Sequence, residues 1–98
     1  MNSENKYRFG NLEFRWVESN YHPPYPAIVH WNKNEDNTEY YYTLARWVEG
    51  SEGWDLKFIG DLPFDSDKVD CRLFWELAQF GNTVANAEWK LKQATRER

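Results

Sequence analysis

Aromatic rings, rather than aliphatic side chains, supply most of the apolar surface of this chain. Six Trp, six Tyr and six Phe make up 18% of its 98 residues. The mean hydropathy of −0.92 understates this content, because the scale scores Trp and Tyr as weakly hydrophilic. Each ring can bury roughly 150–250 Å², and a chain of this length builds a single core. We therefore expect one domain over residues 1–98, with residues 1–5 and 96–98 frayed.

Four segments have the residue pattern of β-strands. Residues 12–17 and 54–59 alternate apolar with charged side chains, which is the period of a strand that buries one face. Residues 27–31 and 40–48 are rich in β-branched and aromatic residues, which favour strands. The side chains expected to face the core are Leu12, Phe14 and Trp16 in the first strand and Trp54, Leu56 and Phe58 in the last. The short connections predict an antiparallel meander.

Strand 40–48 leaves two interpretations of its inner face. The competing sets of inward side chains are Tyr42, Leu44 and Val48, or Tyr41, Ala45 and Trp47. A shift of one residue turns a whole strand over, so the two sets exclude each other in a regular strand. We favour the first set.

The segment before strand 27–31 is rich in proline. Pro23, Pro24, Tyr25 and Pro26 satisfy the PxxP spacing of peptides that bind ring-lined grooves. Proline also fixes the backbone and commonly presets turns. We favour a stiff connector that directs the following strand.

The C-terminal third has the pattern of helix. Asp65 or Ser66 can cap its N-terminus. The apolar stripe expected to pack on the sheet consists of Val69, Leu73, Phe74, Leu77 and Phe80. Gly81 and Asn82 can end the helix in a left-handed cap. Residues 83–95 then form a second helix or continue the first across a kink, with a narrower stripe of Val84, Ala87 and Leu91. The fold class is α+β, a four-stranded antiparallel meander with one or two C-terminal helices packed on one face.

Negative charge is concentrated in the middle of the chain. Residues 34–70 contain ten Asp or Glu against three Lys or Arg, whereas the whole chain carries a net charge of −4. Direct nucleic-acid binding depends on Lys and Arg that neutralise phosphates, so this distribution argues against it. The candidate acidic face consists of Glu35, Asp36, Glu39, Glu49, Glu52, Asp55 and Asp61, and it can extend to Asp65, Asp67 and Asp70.

Residues that bind metals or act as nucleophiles are few. His22, His30 and Cys71 are the strong ligands, and they show neither CxxC nor HxxxH spacing, so we expect no metal or other cofactor. We interpret His22 as a loop residue and His30 as a sheet residue bonded across strands. Cys71, the single cysteine, excludes an intramolecular disulfide. It lies early in the predicted helix, where the helix dipole favours a thiolate, but Asp70 opposes this effect. We interpret it as a semi-buried structural thiol.

The surplus of rings and the lack of catalytic motifs together favour an interaction protein. Rings that one small core cannot hold are left for a partner, and Trp and Tyr are enriched at interface hot spots. The candidate patch consists of Trp31, Tyr41, Trp47, Trp75 and Trp89. The plainer interpretation is that these rings only thicken the core. We expect a non-enzymatic domain that binds a protein partner or forms a homodimer.

Two other functions stay open at this point. The chain is similar to small phage-encoded antagonists of host defence in being short, acidic, rich in rings and free of motifs. That likeness implies an acidic inhibitor that occupies a basic nucleic-acid-binding surface, provided that the acidic residues form one contiguous face. A small enzyme or carbohydrate binder would need a cleft with Trp and two nearby carboxylates. The N-terminal residues resemble no signal peptide, and no segment has the length of a membrane span, so we expect a cytoplasmic protein without a membrane partner.

Overall fold

The computed structural model describes residues 7–20 and 23–96. Its five strands form one antiparallel sheet whose order follows the chain, and one helix packs on one face of that sheet. The elements are β1 (Arg8–Phe9), β2 (Leu12–Val17), β3 (Tyr25–Lys33), β4 (Glu39–Glu49), β5 (Trp54–Phe58) and α1 (Val69–Arg96). The predicted fraying of 1–5, 97 and 98 and the prediction for His22 lie outside the described residues.

The α+β antiparallel meander is confirmed, with five strands instead of four. The additional strand, β1, is only two residues long, so it carries no periodic pattern that the sequence could reveal. A two-residue turn joins it to β2, with Arg8 opposite Glu13. Gly10 occupies the first central position of this turn with φ of 61°, a conformation that favours glycine.

A β-bulge in β4 explains why neither predicted inner face is correct as a whole. Ile28 of β3 pairs with Ala45, but Val29 pairs with Thr43, so Leu44 is an additional residue on β4. Leu44 and Ala45 are therefore both buried, and the alternation shifts by one residue beyond them. Trp47, not Val48, lies in the core, whereas Tyr42 is 41% exposed.

The other strands agree with most of the predicted burial. Leu12 and Phe14 are buried, and Trp16, Trp54 and Leu56 pack against the core cluster. The exception is the ring of Phe58, which is 49% exposed although its side chain lies on the same face of β5 as Leu56. Phe58 ends the last strand of the sheet, where no further strand covers it.

The C-terminal segment forms one continuous helix of 28 residues. It begins at Val69, after a turn in which Lys68 donates its N–H to the carbonyl of Asp65, so the predicted caps at Asp65 and Ser66 lie before the helix. Among residues 7–20 and 23–96, no helix is both long and apolar enough to cross a membrane.

Gly81 does not end this helix, contrary to one prediction. A Cβ at this position would lie 2.6 Å from Cζ2 of Trp47 and 2.9 Å from Cε2 of Phe14. Glycine therefore allows the sheet to approach the helix backbone closely. Asn82 continues the helix, and its Oδ1 accepts a hydrogen bond from Nε1 of Trp47 at 2.5 Å.

The buried face of α1 contains more small residues than the predicted stripe. The residues that it buries are Cys71, Phe74, Leu77, Ala78, Gly81 and Ala85. Leu73 and Val84 are partly buried against the core. Val69, Phe80, Ala87 and Leu91 are exposed, which contradicts their predicted core positions. Ala78, Gly81 and Ala85 are small, so they let the second half of the helix lie close to the sheet.

Candidate interaction surfaces

The five residues of the predicted aromatic patch do not lie together. Trp31 and Tyr41 are on the face of the sheet opposite to α1, and their rings meet at 4.9 Å. Trp75 lies on α1 beside β5, and Trp89 lies farther along the helix and is partly buried. Trp47 is 1% exposed, so its assignment to an interaction patch is wrong. Trp31 and Tyr41 belong to one surface and Trp75 to another.

The first surface, here called the open-face cluster, consists of Arg8, Glu13, Arg15, Trp31 and Tyr41. Side chains alternate between the two faces of a strand, and opposite residues in neighbouring strands share a face. Glu13 and Arg15 therefore project away from α1, whereas Leu12 and Phe14 project toward it. Trp31 lies opposite Tyr41 in the β3–β4 pair and shares this outer face.

Polar side chains contact both rings of the open-face cluster. Nε1 of Trp31 donates a hydrogen bond to Oε1 of Glu13 at 2.7 Å. The guanidinium of Arg8 lies 4.8 Å from the Trp31 ring centre, and that of Arg15 lies 4.6 Å from the Tyr41 ring centre. Cation–π contacts of this kind contribute about 0.5–1 kcal/mol at exposed sites. The open-face cluster is thus stabilised within the chain itself.

The second surface, here called the edge surface, consists of Phe58, the exposed residue Ile59 that follows it in the chain, and Trp75; only the two rings are in contact with each other. The exposed fractions of the three residues are 49%, 51% and 47%. The rings of Phe58 and Trp75 meet edge to face at 5.7 Å, and each also contacts the buried ring of Phe74. No cation–π contact within the described residues involves Phe58 or Trp75. The edge surface is therefore apolar, adjacent to the core and open to solvent.

The predicted acidic residues divide between the two ends of the sheet. Glu39 and Glu49 begin and end β4, whose 11 residues span about 35 Å. Glu35 and Asp36 lie in the turn at the Glu39 end, and Asp61 follows β5 toward that same end. Glu52 and Asp55 lie at the Glu49 end, in the β4–β5 turn and the start of β5. The seven residues of the candidate acidic face do not form one contiguous face.

The side chain of Asp36 forms a hydrogen bond within the β3–β4 turn. Its Oδ1 accepts a hydrogen bond from the backbone N–H of Thr38 at 3.0 Å. The side-chain and backbone hydrogen bonds of Thr38 favour the carboxylate and lower the pKa of Asp36 below its usual value. Asp36 is fully exposed, so this carboxylate shapes the β3–β4 turn rather than a buried site.

An open groove of about 510 Å³ lies between β3 and the segment before α1. The residues that line it are His30, Leu62, Pro63, Phe64, Asp65, Lys68 and Asp70. His30 contacts Asn32 of its own strand at 3.3 Å and packs beside the Tyr42 ring, so its predicted cross-strand hydrogen bond is replaced by a ring contact.

The described residues contain no group of three His, Cys, Asp or Glu that could hold a metal ion. Cys71 is a buried free thiol at 6% exposure.

The proline-rich segment lines a second groove of about 300 Å³ and continues into β3. Tyr25 and Pro26 are the first residues of β3, and Pro26 is fully buried. A PxxP ligand has to present both prolines to its partner, which Pro26 does not do. Trp54 and Glu49 also line this groove, which has one carboxylate instead of the two that a glycosidase-like site needs.

Comparisons of this chain with family models, with curated proteins and with solved structures gave no match. The surfaces are therefore interpreted from their own geometry. The candidate patch from the sequence omitted Phe58 and Ile59. The sequence could have indicated these two residues by their position, because they lie at the end of the last strand and the last strand of a meander lies at the edge of its sheet.

Proposed function

We propose that this chain is a small non-enzymatic protein-interaction domain that binds a protein partner through the edge surface. The observation that carries the proposal is the contact between Phe58 and Trp75, two rings that pack on each other and are each about half exposed. In this proposal the domain acts in the cytoplasm without a cofactor.

The physical reason is the state of the surface before binding. Exposed apolar area at a sheet edge favours association, because covering it removes that area from water. Phe58 and Trp75 rest on Phe74, which is fully buried, so they are held in place before a partner arrives. Aromatic side chains that are fixed in this way lose little conformational entropy on binding and commonly dominate binding energy.

The two other functions have less support. An acidic inhibitor of a basic surface needs one contiguous acidic face, and Glu39 and Glu49 lie at opposite ends of β4. A carbohydrate binder or small enzyme needs a Trp-lined cleft with two carboxylates, and the groove beside Trp54 supplies Glu49 alone. Neither arrangement explains why Phe58 and Trp75 are left uncovered.

Site-specific photo-crosslinking tests the proposal. A photoreactive phenylalanine analogue at position 75 is expected to form discrete protein adducts in cells that express the chain. The matched control carries the same analogue at Phe9, which is 42% exposed on β1 at the opposite edge of the sheet. The same adducts in equal yield at positions 75 and 9, or none at position 75, would contradict the proposal.

A further inference from the structure

We infer that the partner at the edge surface is a second copy of this chain, with β5 paired antiparallel to β5 of that copy about a two-fold axis at Leu56. This inference rests on the proposed function, because it names the occupant of the same surface. The result is a continuous ten-stranded sheet with both helices on the same side.

The backbone of β5 has unpaired groups directed away from β4. Ile59 donates its N–H to the carbonyl of Leu44, and Gly50 donates to Gly53 in the turn, so the odd-numbered residues of β5 face β4. Backbone groups alternate in direction along an antiparallel strand. The N–H and carbonyl groups of Leu56 and Phe58 therefore point outward, where β5 forms the edge of the sheet.

Only one end of this outer edge is already occupied within the described residues. The N–H of Trp54 also points outward, and it donates to Oδ1 of Asn86 on α1 at 3.0 Å. In a pairing centred on Leu56, the carbonyl of the opposite Phe58 replaces Asn86 Oδ1 as the acceptor of this N–H. Leu56 exchanges two hydrogen bonds with its equivalent in the second copy, and the N–H of each Phe58 donates to the carbonyl of the opposite Trp54. Every outward N–H of β5 then has an acceptor.

The side chains of β5 are complementary to themselves in this register. Asp55 lies opposite Lys57 of the second copy, and this pair of opposite charges occurs twice. On the other face, Trp54 lies opposite Phe58, which pairs two rings twice and covers the exposed part of Phe58. Cross-strand pairs of opposite charge and of two rings are both favourable. A register centred on Lys57 instead places Lys57 against Lys57, which is unfavourable.

Charge exchange on β5 tests the inference by analytical ultracentrifugation at micromolar concentration. The wild-type chain is expected to sediment as a dimer. Lys57→Asp and Asp55→Lys each place like charges opposite each other twice, and each should raise the dimer Kd at least about tenfold. The double variant Asp55→Lys/Lys57→Asp restores opposite charges and should return the Kd to within about threefold of wild type. The control Glu52→Lys changes the net charge as Asp55→Lys does, but outside β5, and should leave the Kd unchanged.

Two results overturn the inference: a wild-type chain that stays monomeric, or single variants that the double variant does not rescue. Hydrophobic-dye binding then separates this failure from that of the proposed function. If the monomer binds dye and Trp75→Ser removes the signal while Phe9→Ser does not, the edge surface is an accessible apolar site and the proposed function stands with a partner other than a second copy. If neither substitution changes the signal, the proposed function fails as well.

Discussion

The helix contacts a large ring on each of two neighbouring strands, and the two rings differ in how far they are shielded from water. Over β4, Trp47 lies against Gly81, donates its indole N–H to Asn82 and is 1% exposed. Over β5, Phe58 contacts Trp75 and stays half exposed. Trp47 is part of the core because the helix provides both space and an acceptor for its indole N–H. A surplus of rings does not by itself make a binding surface.

Replacing the two rings separately tests this difference most strongly. Trp47→Ala should lower the free energy of unfolding by about 3–5 kcal/mol, because it leaves a large cavity under α1. Phe58→Ala should cost only about 1–1.5 kcal/mol, since roughly half of its area is already in water. Urea denaturation followed by circular dichroism measures both, in a Lys57→Asp background so that association does not contribute. Equal losses would remove the distinction between the two contacts.

Filling the space beside Trp47 should give the next largest loss of stability. Gly81→Ala places a methyl group against Trp47 and Phe14, at a cost of about 1–3 kcal/mol, while the preference of alanine for helix returns about 1 kcal/mol. Ring carbons of Trp47 and Phe14 lie within 3.0 Å of the added methyl group, so we take the upper part of that cost and expect a net loss of about 1–2 kcal/mol in urea denaturation. In a Trp47→Phe background the six-membered ring of the indole is gone, so the same substitution should cost at least about 1 kcal/mol less. A Gly81→Ala variant as stable as the wild type would show that the structure accommodates the methyl group without strain.

The third test concerns Asn82, which accepts the hydrogen bond from the indole N–H of Trp47. Asn82→Ala leaves Nε1 of Trp47 without its partner and should cost about 1–2 kcal/mol. Asn82→Asp retains an oxygen at the same position and should stay within about 0.5 kcal/mol of the wild type. Thermal unfolding of the two variants gives the comparison. If the aspartate variant is as unstable as the alanine variant, the hydrogen bond is not the cause.

The open-face cluster sharpens the comparison, because its rings are covered by polar side chains and not by the helix. Glu13→Ala removes the acceptor of the Trp31 indole and should cost about 1 kcal/mol. Glu18→Ala, an exposed glutamate just beyond β2, serves as the control and should change stability by less than about 0.5 kcal/mol. A loss at Glu13 that does not exceed the loss at Glu18, measured by urea denaturation, would mean that Trp31 depends on packing alone.

At the edge surface itself, stability and dye binding are expected to respond differently. Trp75→Ala in the Lys57→Asp background should lower the free energy of unfolding by about 1–1.5 kcal/mol, as expected for Phe58→Ala, because the ring is likewise about half exposed. The same variant should lose most of the hydrophobic-dye binding. A large loss of stability would place Trp75 in the core and leave Phe58 as the only open ring of the pair.

The local patterns in the sequence were enough to predict the architecture. Alternation in residues 12–17 and 54–59, short connections and an apolar helical stripe predicted an antiparallel meander with a helix on one face, because these features depend only on neighbours along the chain. Leu12, Phe14, Phe74 and Leu77 are buried as predicted. The two-residue strand β1 was missed because it is too short to show a period.

Only the tertiary structure decided which rings are covered. The bulge at Leu44 depends on the pairing of β3 with β4, and it places Tyr42 on the same face of the sheet as Trp47. Trp47 is buried there, whereas Tyr42 is 41% exposed. Gly81 has the local pattern of a helix C-cap, but the sheet beneath it uses the missing side chain as space. Phe58 repeats the pattern of Leu56, yet its exposure follows from its place at the end of the last strand. Sequence periodicity determines which face a side chain takes, whereas burial depends on which element lies above that face, and this is a property of the assembled fold.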